Sequence, residues 1–381
     1  MKLLFINYQA LPLPSVKGGA VEYLVDEFLK YNEVHKLHNI TVCSIYDENA
    51  LLESKSYNRT EFKYIKIESI WDKLNRGIRH IINKHTPFYI GNTYIKKILK
   101  DEKDFNKYDA IIIENAPEFG LKIRKVFKKR LILHLHNDYL NKNSGNAEKI
   151  FDCYDEIYTI SNTLGNIVKE IKQSDKIKTL YNGIRLENFR ENGKRDEMRN
   201  KYKIGKDDFV FMYSGRITRD KGVYELAKAF SEIKNEKLKL VIAGKGTNQT
   251  VEAIKNINDK RIIFTGFVPY SQMNDIYQVA DVGVIPSICQ DAFNLTVIEY
   301  ASNGIPLIIS NRGAMKELIN EKCSVIAEYD KNFFSDNIRR ALELMLVKDI
   351  DKMSEEAKKI SENFTIENFC NTFKKLLDKE I

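Results

Sequence analysis

The stretch DAFNLTVIEYASNGIPLIIS, residues 291–310, sets two carboxylates, Asp291 and Glu299, eight positions apart across a strand-to-helix junction. Ahead of it VGVIP, residues 282–286, is a short β-branched run that reads as a buried strand. Leu295, Ile298, Tyr300 and Ala301 then fall on a helix that Gly304 ends, and residues 306–310 read as the next strand. Asp291 is thereby placed in the loop at a strand's carboxyl end, with Glu299 about two helical turns further on. In open parallel sheets, ligands bind beside those carboxyl ends.

The same alternation of apolar run and amphipathic stretch extends outward through the chain. The first half offers strands over residues 3–7, 40–45, 110–113, 131–136 and 157–160. A second series follows Asn182-Gly183 and a charged segment, residues 187–203, with strands over 209–214, 238–243, 262–265, 282–286 and 306–310. The pattern predicts an α/β protein of two successive doubly wound parallel sheets. The expected division is residues 1–184 and 185–363, with a linker near residues 183–203. Phe364, Ile366, Phe369, Phe373, Leu376 and Leu377 recur at helical spacing and predict a terminal helix with one apolar face.

The 381 residues and 43% hydrophobic content fit more than one core. No run is long enough to cross a bilayer, and MKLLFINYQA lacks a signal peptide's cleavage pattern, so a soluble cytoplasmic protein is expected. Cys43, Cys153, Cys289, Cys323 and Cys370 are scattered without paired zinc spacing, and their odd number argues against a disulfide framework. The net charge of +8 conceals local concentrations. Residues 71–100 hold seven Lys or Arg against Asp72, interleaved with Trp71, Phe88, Tyr89 and Tyr94, and residues 121–130 add six more bases. The first segment is read as suited to an anionic membrane surface or a charged acceptor, the second as a solvated helix face.

Candidate chemistry gathers at strand ends. SVKGGA, residues 15–20, follows the first strand, and its Gly18 and Gly19 permit close backbone approach to an oxyanion, although a tight turn explains them equally well. SGRITRDKG, residues 214–222, offers Arg216 and Lys221 where two fixed cations would hold a diphosphate. His134 and His136 alternate along a strand and share a face, with His136 at the carboxyl end followed by Asn137-Asp138. Asp291 and Glu299 read alternatively as a helix cap and a surface acid. Residues 243–246, AGKG, lack the third glycine of the dinucleotide fingerprint, which disfavours a dehydrogenase. Neither a helix-turn-helix nor a finger nor an RNA-binding signature supports nucleic-acid binding.

The ordered set KGGAVEYL (17–24), HLHN (134–137), TLYNGI (179–184), GRITRDKG (215–222), VIAGKG (241–246), FTGFVP (264–269), DAFNLTVIE (291–299) and NGIPLIIS (303–310) resembles the retaining GT-B glycosyltransferases of family 4. The resemblance implies a GT-B fold: two Rossmann-like domains facing a cleft, the first binding acceptor and the second a nucleotide-sugar, with the C-terminal helix, about residues 364–381, crossing back to the first. It implies transfer of a sugar from a nucleotide donor, UDP-linked by base rate, to a glycan or lipid-linked acceptor in envelope, capsule or lipopolysaccharide synthesis, without metal. It implies that Arg216 and Lys221 grip the diphosphate and that Glu299 accepts hydrogen bonds from the ribose. Asp291 and His136 would flank the donor sugar. Gly18 and Gly19 would approach it, and Gly246, Phe293, Asn294, Leu295 and Thr296 would complete the donor site. Asp291 stands where the family usually has Glu, and Asn294 where it has Gly, which leaves sugar identity open. Asp349-Ile350-Asp351 is an Asp-x-Asp away from any strand end, so no metal site is assigned. Peripheral contact with the inner face of the plasma membrane is a further expectation. A non-catalytic GT-B partner subunit and a GT-B epimerase or phosphorylase are the alternatives.

Overall fold

The computed structural model describes residues 1–67, 93–189 and 193–379. These form two compact units, Met1–Tyr181 with Phe369–Ile381, and Asn182–Asn368. Each is built on one parallel sheet.

In the first unit the strands are β1 (Lys2–Ile6), β2 (Asn39–Ile45), β3 (Thr60–Ile65), β4 (Ala110–Glu114), β5 (Arg130–Leu135), β6 (Glu156–Thr159) and β7 (Ile177–Thr179), in the order β3-β2-β1-β4-β5-β6-β7. Every residue of β4 and β5 is buried. Such unbroken burial is what a parallel strand covered by helices on both faces requires, and it explains why AIIIE and RLILHL lack polar alternation. The strand order reverses between β1 and β4, whose carboxyl ends carry Asn7 and Glu114.

The second unit holds β8 (Phe209–Ser214), β9 (Leu238–Ala243), β10 (Ile262–Gly266), β11 (Val282–Ile285), β12 (Leu307–Ser310) and β13 (Ser324–Ala327), ordered β10-β9-β8-β11-β12-β13. Its reversal lies between β8 and β11. The helix expected after Asp291 spans Leu295–Ser302, and Gly304 beyond it has the left-handed φ of 68° that ends a helix without Cβ strain. Asp349 accepts from the Lys352 amide as the N-cap of Ile350–Ser361, so the Asp-x-Asp is a helix start.

Three strands escape the sequence expectation: β3, β7 and β13. TEFKYI alternates polar and apolar residues because β3 is an edge strand, and IKT and SVIA are only 3 and 4 residues long. His136 lies one position beyond β5 rather than inside it.

The terminal helix, Ile366–Leu377, enters the first unit through Phe369, Cys370, Phe373, Leu376 and Leu377, all buried. Phe373 packs 4.6 Å from the Phe28 ring and 6.1 Å from Phe5, so the helix covers β1 and the helix Ala20–His35. Arg130 fixes its end. The guanidinium donates to the Leu376 carbonyl at 2.6 Å and to that of Leu377, and Nε donates to Glu156 Oε1 at 2.6 Å. The last carbonyls of a helix have no partner within it, and a buried arginine supplies one. Residues 121–130 are therefore not merely a solvated basic face: Arg130 is buried, and Arg124 binds the Cys153 carbonyl and Asp155.

Of the basic aromatic segment, Trp71, Phe88 and Tyr89 lie outside the described residues. Tyr94 is fully buried and donates to the Cys43 carbonyl at 2.7 Å, which makes it a core residue and removes it from any docking face. Lys96 and Lys100 are exposed on the helix Thr93–Asp101. Among the described residues, no helix is long and apolar enough to cross a membrane.

Replacing Arg130 with Ala leaves Glu156 its Lys178 and Tyr158 partners but removes the guanidinium from the carbonyls of Leu376 and Leu377. Leaving a buried hydrogen-bonding group unpaired costs about 1–3 kcal/mol. A clear drop in the urea midpoint and faster amide exchange over residues 369–377 are expected; an unchanged midpoint would contradict this account of the helix anchor.

Candidate functional site

In the second unit, two loops meet at the reversal between β8 and β11. Ile288 and Cys289 both donate their amides to the Asp220 carbonyl, at 2.9 and 3.0 Å. So close an approach needs Gly222, which has φ 66° and whose Cβ, if present, would lie 1.9 Å from the Pro286 carbonyl oxygen. Joining the loops carries Lys221 onto Asp291, with Nζ 2.5 Å from Oδ1. Asp291 also accepts from Ser287 Oγ at 2.9 Å and Asn294 Nδ2 at 3.2 Å, and the Cys289 thiol stands 3.3 Å from Lys221 Nζ. Burial works against the charge on Lys221, but the hydrogen bond and charge of Asp291 outweigh it and hold the ammonium above its usual range.

Asn294 has a local reason to replace glycine. Its Oδ1 accepts from the Thr296 amide at 3.1 Å, capping Leu295–Ser302, while its Nδ2 steadies Asp291. Phe293 packs 6.1 Å from Phe364. Gly246 pairs with Ile217 in a parallel bridge where a Cβ would lie 2.0 Å from the Ile217 carbonyl oxygen, so its small size serves this backbone approach. Arg216 is exposed, and among the described residues its guanidinium forms no ion pair or hydrogen bond.

Glu299 is buried on the helix Leu295–Ser302. Burial pushes its carboxyl up to about 7, against the lowering effect of hydrogen bonds from Tyr277 and Tyr270. The Tyr277 hydroxyl lies 2.6 Å from Glu299 Oε2 and 3.1 Å from Ser214 Oγ, and its ring lies 4.7 Å from Tyr300. The sequence marked Glu299 but missed Tyr277, because DIYQVA carries only a helix's apolar spacing.

At the other reversal, Gly18 and Gly19 have φ of 74° and 96° and lead into Ala20–His35. Both values lie where side chains are strained. β4 and β5 pair with Glu114 opposite His134. One carboxylate oxygen, Glu114 Oε2, then stands 3.0 Å from His134 Nδ1 and 3.1 Å from His136 Nε2, and the two imidazole rings are 4.1 Å apart. Burial first, and then His134, push His136 down to about 4; burial would raise Glu114, but the two histidines hold it at about 2. Glu114 was missed because it ends the apolar run AIIIE. Its signal was a lone acid one strand away from an alternating His pair. One nitrogen or carboxylate oxygen from each of these three buried side chains lies within 4.8 Å of the others.

Residues 194–360, inside the second unit, match the family model of the glycosyl transferases group 1. Over that segment the chain is similar to the glycosyl transferases group 1. A putative glycosyltransferase, YtcC, of Bacillus subtilis is 26% identical over 388 residues, covering 94% of this chain and 87% of that protein. A lipopolysaccharide 1,2-N-acetylglucosaminetransferase of Salmonella typhimurium is 26% identical over 242 residues, 59% of this chain and 61% of its own length. The crystal structure of Anabaena HepE with UDP and glucose superimposes with a TM-score of 0.72 at 14% identity, covering 100% of both chains. The fold of the chain is thus GT-B, two Rossmann-like domains of 7 and 6 parallel strands.

Because Glu299 has its carboxyl raised from 4.5 to about 7 on folding, its contribution to stability is fully present below pH 4.5 and lost as pH rises through 7. Relative to Glu299→Gln, the ligand-free wild type should lose on the order of 2 kcal/mol of unfolding free energy between pH 5.5 and 8.5. Parallel pH dependence of the two proteins in urea titrations would contradict the assignment.

Proposed function

We propose that this transferase moves a sugar from a UDP-sugar to a hydroxyl of a glycan or lipid-linked acceptor, with retention at the anomeric carbon and without a metal. The observation that carries the proposal is the contact of Lys221 with Asp291 at the carboxyl-end reversal of the six-stranded sheet, just ahead of the helix that carries Glu299 and inside the segment matched by the family model. HepE, whose fold the chain shares, binds UDP, glucose and UDP-glucose. Relatives named for lipopolysaccharide, teichuronic acid and capsular polysaccharide synthesis support an envelope glycan as acceptor.

On this proposal the diphosphate draws Lys221 from Asp291. Lys221 and the exposed Arg216 then neutralise the leaving group, which frees the carboxylate of Asp291 to accept from hydroxyls of the donor sugar. Fixed cations aimed at a developing charge are a large catalytic term because they need no reorganisation when the bond breaks. Glu299, as carboxylate, accepts from the ribose hydroxyls. The amide end of Leu295–Ser302 and the small residue Gly246 line the donor. The anomeric C–O bond to the diphosphate breaks through an oxocarbenium-like state. The acceptor oxygen bonds to the same face, and its proton passes to the departing phosphate oxygen. No protein nucleophile takes part.

Nucleotide release from UDP-, GDP- and ADP-sugars in EDTA tests this reading. Turnover of a UDP-sugar is expected, with Lys221→Ala lowering kcat roughly 10²–10³-fold and Glu299→Ala raising the donor KM roughly tenfold to hundredfold. Product of inverted configuration, a strict metal requirement, or neither release nor binding of any nucleotide would overturn it.

A lipid-linked acceptor would bring the protein to an anionic membrane, for which Lys96 and Lys100 offer exposed charge. Removing Lys96, Lys97 and Lys100 together is expected to weaken sedimentation with anionic liposomes; undiminished binding would exclude this face.

A further inference from the structure

The most fully buried ionisable cluster of the first unit is the one that the transfer scheme leaves unused. The sequence resemblance implies a role for His136, but none for Glu114 and His134. Glu114 and His134 are both 0% exposed. A carboxylate and an imidazole are held out of water here at considerable cost unless each compensates the other.

The backbone makes the arrangement specific. Parallel pairing of β4 with β5 fixes Glu114 opposite His134, and the alternation of side chains returns His136 to the same face two residues later. Asn115, at φ 51°, then ties down the turn: its amide donates to the His134 carbonyl at 2.8 Å, and its Oδ1 accepts from the His136 amide at 3.0 Å. Phe369 and Phe373 of the terminal helix cover His134 at ring distances of 6.4 and 5.5 Å. Glu22, itself buried, lies near enough to Glu114 for their charges to repel. A second carboxylate there disfavours any further negative charge and makes the imidazoles the natural counterpart of Glu114.

The chemistry of the contact settles the direction of the hydrogen bond. An ionised carboxylate can only accept, so the ring nitrogen 3.1 Å from Glu114 Oε2, His136 Nε2, must carry the proton. A neutral imidazole with Nε2–H has Nδ1 as a bare acceptor. Among the described residues, no hydrogen bond reaches that Nδ1.

We propose that Glu114 is a positioning residue: it fixes His136 as the Nε2–H tautomer and thereby presents Nδ1 as a neutral acceptor for a substrate hydroxyl. His136 on this account is not a cation for the diphosphate. The inference deepens the transferase reading and rests on it for the identity of the hydroxyl. The tautomer itself does not depend on turnover.

Long-range 1H–15N correlation spectra of protein with 15N-labelled histidine rings decide the first half. The expected wild-type signal for His136 is a single neutral Nε2–H tautomer at pH 7. Glu114→Gln, which keeps an acceptor oxygen in place, should retain most of it, and Glu114→Ala should shift it toward the other tautomer or a mixture. A cationic or Nδ1–H His136 in the wild type overturns the proposal without recourse to any variant.

A double-mutant cycle decides the second half. Glu114→Ala is expected to lower kcat/KM for the donor roughly tenfold to hundredfold, with no further loss when added to His136→Ala. Additive losses would make Glu114 a structural residue only. If no nucleotide-sugar is turned over at all, the transferase reading fails, and the spectra still report whether Glu114 sets the tautomer.

Discussion

The candidate donor site depends on one carbonyl group. Asp220 receives the amides of Ile288 and Cys289, and this double bond between loops that follow different strands is possible only because residue 222 has no Cβ against Pro286. Any side chain at 222 would separate the loops and move Lys221 away from Asp291. The reversal of strand order falls between β8 and β11, where the Asp220 carbonyl joins the two loops ahead of the helix Leu295–Ser302. Similar backbone approaches recur where a Cβ on Gly244 would meet the Gly215 carbonyl and one on Gly246 that of Ile217, so the glycines of this edge serve packing first.

The charges of the site compensate one another, which bears on how it would work. Lys221 and Asp291 satisfy one another, and neither is spare until an anion competes for the lysine. Among the described residues Glu299 has no cation beside it, and it answers burial by holding its proton more tightly, while Tyr277 and Tyr270 supply hydrogen bonds that favour its ionised form. In the first unit, Glu114 is balanced by histidines. Each of these acids therefore meets its loss of water differently: through an ammonium, a proton, or an imidazole.

Most of the sheet framework was legible because parallel strands buried on both faces leave long β-branched runs, as AIIIE, LKLVIA and LIIS show. β3 was not, since an edge strand has one wet face and TEFKYI obeys it; β7 and β13 were too short to stand out. Lys221, Asp291 and Glu299 were legible from their place at strand-to-helix turns, and the structure brings Lys221 and Asp291 into contact. Their partners were not. Tyr277, Ser287 and Glu114 come from elements whose local pattern says only helix, loop or strand, and their contacts arise from sheet register and loop docking. Arg130 and Tyr94 show the converse limit: a basic or aromatic residue in a run that looks superficial is drawn inside when a helix end or a strand carbonyl needs a donor.

The central claim is that Glu299, protonated to a large extent near neutrality, becomes the carboxylate that holds a nucleotide's ribose. Calorimetric titration with UDP at pH 7, in two buffers of different ionisation enthalpy, measures this directly as protons released on binding. The account predicts that the wild type releases about half a proton more than Glu299→Gln, the fraction held by a carboxyl titrating near 7. Equal release from the two proteins would contradict it.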